Sequence, residues 1–295
     1  MGRHLEAQHP EQAVLSAAQR ARLFAGSVNE RITDSWQRYA PHRHRIMQLV
    51  ESTGTSGRLA VFGAGNGSDL ELDWLLERFD EVHLIDLDRA ALERAAARAS
   101  AAARRERLVL HADVDLSGLL ERLDAWGESF PEPAVLGQTA VAAAQALVQK
   151  LGRFDVTLST CVLSQLGLPF RRAWVASRTS WAQLSSTLMG VHLATLAGAT
   201  GRAGILICDV QSSQRVPELE RFRELPGREL AAFVSQQVER GALALNPDPR
   251  ALLGWFEAPG LRGLVASPRV VEPWLWDLSD ARQLVYGLTF RHPTG

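Results

Sequence analysis

Val61-Phe62-Gly63-Ala64-Gly65-Asn66-Gly67-Ser68-Asp69 closes a short apolar run, Leu59 to Phe62, and opens a stretch with helical spacing. The three glycines permit a tight turn and let the backbone approach a ligand at distances that a Cβ would block. Such a turn between a strand and a helix is where a doubly wound sheet binds nucleotides. The spacing here is G-x-G-x-G. A dinucleotide fingerprint, G-x-G-x-x-G, needs its third glycine one position later, where this chain has Ser68.

Downstream, apolar runs alternate with helical patterns: Val82 to Ile85, Leu108 to Leu110, Val156 to Leu158 and Ile205 to Cys208. This alternation predicts a parallel sheet with helices on both faces. The helix after the first strand is expected to begin around Ser68 and Asp69, and the next to follow Asp88 as N-cap and run to about Arg104. Val270 to Asp277 and Gln283 to Arg291 are joined by a linker too short for a crossover helix, so they should form an antiparallel hairpin. Pro273 cannot donate a ladder hydrogen bond and assigns its strand to a sheet edge.

Upstream, Glu11 to Glu51 has a mostly helical pattern interrupted at Pro41, and residues 52–57 have the composition of a connection. The expected architecture is α/β: a doubly wound, mostly parallel seven-stranded sheet with a C-terminal antiparallel hairpin and an N-terminal helical cap. The cap spans 1–52 and the main domain 53–295, with helical elaborations over the substrate side at about 115–153 and 211–268.

In spacing and context the glycine segment resembles the first motif of the S-adenosylmethionine-dependent methyltransferases, and the strand plan is similar to that of their class I (Rossmann-like) members. The resemblance implies S-adenosyl-L-methionine as cofactor, bound by Gly63, Ala64, Gly65, Asn66 and Gly67. Asp86, at the end of the second strand and followed by Leu87, has the chemistry to accept both ribose hydroxyls; NAD-binding proteins use the same device. By resemblance, the Asp113 side chain and the Val114 amide meet the adenine. The segment Phe154 to Leu166 resembles the family's fourth motif, whose polar strand end, including Thr160, would line the methionine side and face the acceptor. Many members have an acid two positions before the first glycine, where this chain has Val61. Asp69 is the candidate to replace it at the cofactor's amino group.

The Asp/Asn-Pro-Pro-Tyr sequence common among amino-group methyltransferases of bases and proteins is absent, so the implied partner is a small-molecule methyl acceptor. Methyl transfer is an in-line displacement that requires no metal, and a base is needed only for a protonated nucleophile. His42, His44 and His111 are candidate bases, with packing or surface roles as the alternative, and no catalytic residue is singled out. Tyr39 and Arg43 are candidates to close over the cofactor. Trp174 and Trp181 share a helical face and read as core; Trp36, Trp255, Trp274 and Trp276 are candidates to wall an apolar acceptor pocket.

Lys plus Arg total 32 and Asp plus Glu 33, a net charge of -1, which leaves no global basic field and disfavours nucleic acid. No uncharged apolar run is long enough to cross a bilayer and none suits a secretory signal, so a cytoplasmic location is expected. Two cysteines, Cys161 and Cys208, both in apolar strand-like surroundings, read as buried free thiols rather than a metal site. Competing readings are an aminopropyl or aminocarboxypropyl transferase using the same cofactor, a noncatalytic adenosyl-cofactor-binding module and, third, a nicotinamide-dependent oxidoreductase.

Overall fold

The computed structural model describes residues 15–32, 36–100, 106–126, 131–173, 178–222, 227–278 and 281–294. The apolar runs become parallel strands: β1 (Arg58–Phe62), β2 (Glu81–Ile85), β3 (Leu108–His111), β4 (Phe154–Thr160) and β5 (Thr200–Ser212). The C-terminal strands are β6 (Ala266–Val270), β7 (Trp274–Asp277) and β8 (Arg282–Arg291). Their order is β3-β2-β1-β4-β5-β8-β6, with β7 also paired to β8 and β8 antiparallel to β5. The chain leaves β1 in both directions across the sheet, which makes the C-terminal ends of β1 and β4 the topological switch point.

The expected hairpin is present between β7 and β8, but its first arm is not continuous from Val270. Val271 still donates to the Gly287 carbonyl at 2.7 Å. Pro273 has no N–H to continue the ladder, so the arm divides into β6 and β7, both on β8. The sheet therefore has the seven expected positions, one of them filled by two segments.

Side chains alternate between the two faces, as a doubly covered sheet requires. Ala60, Phe62, Leu206 and Cys208 enter one apolar cluster, while Leu59, Val61, Ile205 and Ile207 enter the other. The second cluster is completed by α2 (Ala40–Ser52) through Ile46, Met47, Leu49 and Val50. Each fully buried Leu, Ile or Phe contributes about 1.5–3 kcal/mol relative to exposure. Pro41 lies in the first turn of α2, where its missing N–H has no intrahelical partner to lose, so it starts this helix rather than interrupting it.

α1 (Ala17–Arg31) begins with a reciprocal capping box between Ser16 and Gln19; the expected earlier start, at 11–14, lies outside the described residues. The helix after β1 is α3 (Leu72–Arg78), later than expected because residues 68–71 form a turn that buries Leu70 and directs Asp69 to the cavity described below. Asp88 Oδ1 accepts from the Ala91 N–H and caps α4 (Arg89–Arg98) as expected, but the helix stops at extended Ala99; 101–105 are outside the described residues.

The 115–153 segment holds α5 (Arg122–Trp126) and α6 (Pro133–Leu151). Between β4 and β5 come α7 (Val162–Gln165), α8 (Leu168–Ala173) and α9 (Arg178–Ala199), and α9 packs on α6. The 211–268 segment supplies a 3₁₀ turn at Pro217–Phe222, α10 (Gly227–Glu239) and α11 (Pro249–Phe256). Contrary to expectation, none of its described residues borders the cavity; Leu219, Leu230, Leu252 and Phe256 close the core beside β5 and β8 instead.

Gly204 sits directly opposite Phe290 in the β5–β8 ladder, and a Cβ there would lie 2.0 Å from the Phe290 ring. Gly204→Ala should therefore displace the ring and destabilise the fold by about 1–3 kcal/mol. Urea unfolding measures this, and a midpoint equal to the parent's would show that the ring yields freely.

Candidate functional site

Level strand ends assemble the site. Phe62 pairs with Ile85 across β1 and β2, which brings the glycine loop against the residue that follows β2. Gly63 and Ala64 N–H groups donate to the Ile85 carbonyl at 2.9 and 3.3 Å. Asp86 then accepts from the Gly65 N–H at 2.8 Å through one oxygen and from the Asp88 N–H at 2.9 Å through the other. Burial pushes the Asp86 carboxyl above its ordinary pKa, and these N–H bonds pull it partly back.

Gly63, Gly65 and Gly67 all have left-handed φ, between +47° and +74°. A Cβ at 63 would meet Val162 Cγ2 at 2.2 Å, and one at 67 would meet Ala95 Cβ at 2.9 Å. Those two positions thus need glycine to let α7 and α4 approach the loop, whereas Gly65 faces the cavity. Asn66 is a buried brace: its Nδ2 donates to the Asn29 carbonyl of α1 at 2.6 Å, and its Oδ1 accepts from Arg94 Nε of α4 at 2.8 Å.

Above this floor lies a cavity of about 390 Å³. Gly63, Ala64, Gly65, Asn66, Asp69, Asp86, Leu87, Val114 and Thr160 all border it. Gly67 and Asp113 do not. Asp113 has φ 59°, stands exposed and pairs with Arg89, while the neighbouring Asp115 borders the cavity. The Val114 N–H is already engaged by the Asp86 carbonyl at 3.1 Å, so it is not free for the adenine role the resemblance implied. Asp115 accepts from the Ser117 and Leu120 N–H groups at 2.9 and 2.8 Å and shapes its own turn. Thr160 donates its hydroxyl to the Gly63 carbonyl at 3.0 Å.

Several lining residues were not among the sequence candidates. Phe24, Val28 and Asn29 come from α1 and Ile32 from its C-cap, Ser164 and Gln165 from α7, and Asp209 from β5. Asp209 follows an apolar strand run, which is a readable signal; the α1 residues lack one, because their role depends on how that helix docks.

One end of the cavity gathers Tyr39, Asp69, Asp209 and Trp276. Burial raises the Asp69 carboxyl to about 7, with Asp209 adding repulsion and Arg43 opposing, and raises Asp209 to about 6. Ser164 donates its hydroxyl to Asp209. Tyr39 is held neutral by burial and by the nearby carboxylates. His42 stacks on Trp276 at 4.4 Å and accepts from Trp274 Nε1 at 2.9 Å through Nδ1. Its proton is therefore on Nε2, 3.5 Å from Asp69 Oδ1, too far for a hydrogen bond. Burial lowers the His42 pKa to about 3, so it is neutral and stands behind the wall rather than at the cavity.

The other candidates serve elsewhere. His44 bonds Gln48 on the surface, and His111 stacks on His83. Arg43 pairs with Glu71 and stacks on Trp36, which places Trp36 outside the cavity. Trp255 packs at Gly190 and Trp181 at Gly167; Trp174 lies outside the described residues. Both cysteines are free and buried. Among the described residues no group of His, Cys, Asp or Glu is arranged to hold a metal, and no helix is long and apolar enough to cross a membrane.

No family model and no curated protein sequence matches the chain. Solved structures with a similar fold include the N-methyltransferase NodS from Bradyrhizobium japonicum WM9 with S-adenosyl-L-homocysteine, at TM-score 0.45 and 14% identity over 91% of this chain and 98% of that one. Magnesium protoporphyrin IX methyltransferase (ChlM) from Synechocystis PCC 6803 with bound SAM gives 0.45 and 14% over 94% and 98%. A DhpI–SAH complex gives 0.44 and 8% over 94% and 98%. Likenesses this distant do not extend to what those proteins bind or act on.

The raised carboxyls set a pH signature. An acid whose folded pKa lies above its unfolded value destabilises the fold progressively as pH rises between the two, here from 3.8 to about 7 for Asp69. His42 acts in the opposite sense, because the unfolded chain takes up its proton below 6.5. Asp69→Asn should thus match the parent at pH 4 and exceed it at pH 8 by about 1–4 kcal/mol. Denaturant titrations at both pH values test this; an Asp69→Asn chain no more stable than the parent at pH 8 contradicts it.

Proposed function

We propose that the chain is an S-adenosyl-L-methionine-dependent methyltransferase acting on a small organic molecule by in-line transfer. The observation that carries this reading is the pairing of Asp86 with a left-handed glycine loop at the switch point, above which the cavity opens. Gly65 leaves room for a ligand's close approach, and the Asp86 oxygens each retain a lone-pair direction beyond their backbone bonds for ribose hydroxyls. Asp69, partly buried and lacking a hydrogen-bond partner on Oδ1 among the described residues, suits the cofactor's ammonium group. Leu87, Val114 and Leu116 offer apolar surface for the adenine.

When bound, the cofactor supplies a methyl group on a positively charged sulfur. The protein's own part is to fix the acceptor in line with that group and keep water away, and orientation of this kind can account for several kcal/mol of a barrier. Cavity size and the apolar α1 wall suit a compact acceptor. A soluble location in the cytoplasm and the absence of a nucleic-acid partner belong to the same proposal.

Isothermal calorimetry with S-adenosylhomocysteine tests it directly. Saturating ligand at about 100 times the dissociation constant should stabilise the fold by about 2.7 kcal/mol. Gly65→Val should abolish binding with an unchanged circular dichroism spectrum, because φ +47° and Asn29 Oδ1, 3.1 Å from the Cβ position, leave a branched side chain no place. Absence of binding by the parent chain at millimolar ligand refutes the proposal.

Asp86→Ala should weaken binding at least about tenfold, as expected for loss of a charged acceptor. Asp88→Ala should affect affinity less and instead cost about 1 kcal/mol of stability as a lost helix cap. The reverse ranking would move the ribose site from Asp86 to Asp88. With an active acceptor, product mass spectrometry separates gain of one methyl from a larger aminopropyl or aminocarboxypropyl group.

A further inference from the structure

Building on the methyltransfer reading, we infer that Asn29 of α1 is a recognition residue for the cofactor's ribose: its Oδ1 accepts a hydroxyl hydrogen bond beside Asp86, and that bond draws α1 onto the occupied cavity. The helix meets the site along one face. Phe24, Ala25, Val28 and Asn29, spaced for one side of a helix, border the cavity together with Ile32 at the C-cap. None of the apolar clusters of the core takes a described residue of α1, and Phe24, Ala25, Val28 and Ile32 are only half-buried. The apolar side of α1 is thus turned toward the cavity rather than into packed core. The helix leans on α8 and α5, and its ion pair from Arg22 to Glu121 lies at the surface, where such a pair contributes little.

Asn29 is held at two points. Its carbonyl, in the last turn of α1, accepts from Asn66 Nδ2 of the glycine loop at 2.6 Å, and its own Nδ2 donates to Asp88 Oδ2 at 3.0 Å. A carboxylate accepts and does not donate, so the amide presents its NH2 group to Asp88 and Oδ1 takes the other branch. That oxygen lies 3.1 Å from the position a Cβ would occupy on Gly65, where the loop faces the cavity. Among the described residues nothing donates to it, and it is not sealed from solvent.

Asp86 reaches the same residue from the end of β2, accepting from the Gly65 N–H. Two acceptors from separate elements therefore converge on Gly65, one a carboxylate and the other an amide oxygen. A vicinal diol brings two O–H donors, so one hydroxyl can serve Asp86 and its neighbour Asn29. A ligand over Gly65 would then add a third tie at Asn29 and fill the space under Phe24, Val28 and Ile32. Occupancy and docking of α1 become one event.

Calorimetry on the full chain with S-adenosylhomocysteine and its 2′-deoxy and 3′-deoxy analogues tests this. Asn29→Ala should weaken S-adenosylhomocysteine about fivefold, as expected for one neutral hydrogen bond, with an unchanged circular dichroism spectrum. For at least one analogue the penalty for the missing hydroxyl should be about fivefold smaller in Asn29→Ala than in the parent, because the partner is already gone. A residue that merely positions α1 would, when removed, weaken all three ligands by the same factor. That result overturns the inference, as does parent-like affinity in Asn29→Ala. A second measurement uses the parent alone and stands even where Asn29→Ala does not fold. Hydrogen exchange of the α1 amides should slow when S-adenosylhomocysteine saturates the chain, and slow less at equal saturation with one of the deoxy analogues. Equal protection by all three ligands, or none, contradicts the inference. If S-adenosylhomocysteine itself fails to bind the parent chain, the methyltransfer reading falls and this one with it; normal binding with a uniform loss in Asn29→Ala removes the Asn29 assignment alone.

Discussion

The Asp86 carboxylate joins the glycine loop, 21 residues upstream, to the N-cap of α4, 2 residues downstream. One oxygen takes the N–H of Gly65 from the loop after β1, and the other takes the N–H of Asp88, which in turn caps α4. Because β1 and β2 are in register up to Phe62 and Ile85, the carboxylate reaches both without strain in either strand. The loop shape, the start of α4 and the floor of the cavity therefore depend on a single side chain. Charge-assisted bonds to N–H groups are the strong kind, which suits a residue required to hold a floor rigid while keeping lone pairs for a ligand.

Around that floor the electrostatics are one-sided. Arginines are abundant nearby, but they are turned away from the cavity: Arg43 toward Glu71 and the Ser68 carbonyl, Arg94 and Arg98 toward Asn66. They brace the loop from behind, through its carbonyls and Asn66, while the acids face inward. The result is a negative interior within an almost neutral protein, an arrangement that net charge alone cannot reveal.

Much of the frame was legible in the sequence because each element has a local cause. The Gly63–Gly67 turn, Asp86 at a strand end and Asp88 as a cap follow from propensities that act within a few residues. The misread features depend on which of several possible turns forms and on packing across the chain. Asp113 and Asp115 are equally plausible by position, and the choice falls to the turn that Asp115 builds with Ser117 and Leu120. The late start of α3 depends on burial of Leu70, and the cavity wall from α1 depends on docking against α8, α5 and α4, which leaves no periodic trace in the sequence. Gly67 matched the motif, yet its geometry serves Ala95 rather than the cavity.

The broken strand at Pro273 also bears on how these molecules meet each other. An open sheet has two edges whose unpaired N–H and C=O groups can recruit a strand from a neighbouring molecule. At one edge β6 carries a register shift between Ala266 and Arg269, with Ser267 at φ 50°, and the ladder is then divided again at Pro273. At the other, β3 is four residues long. Neither edge offers a long flat template, so the apolar strands that build the core are shielded from intermolecular sheet growth at high concentration.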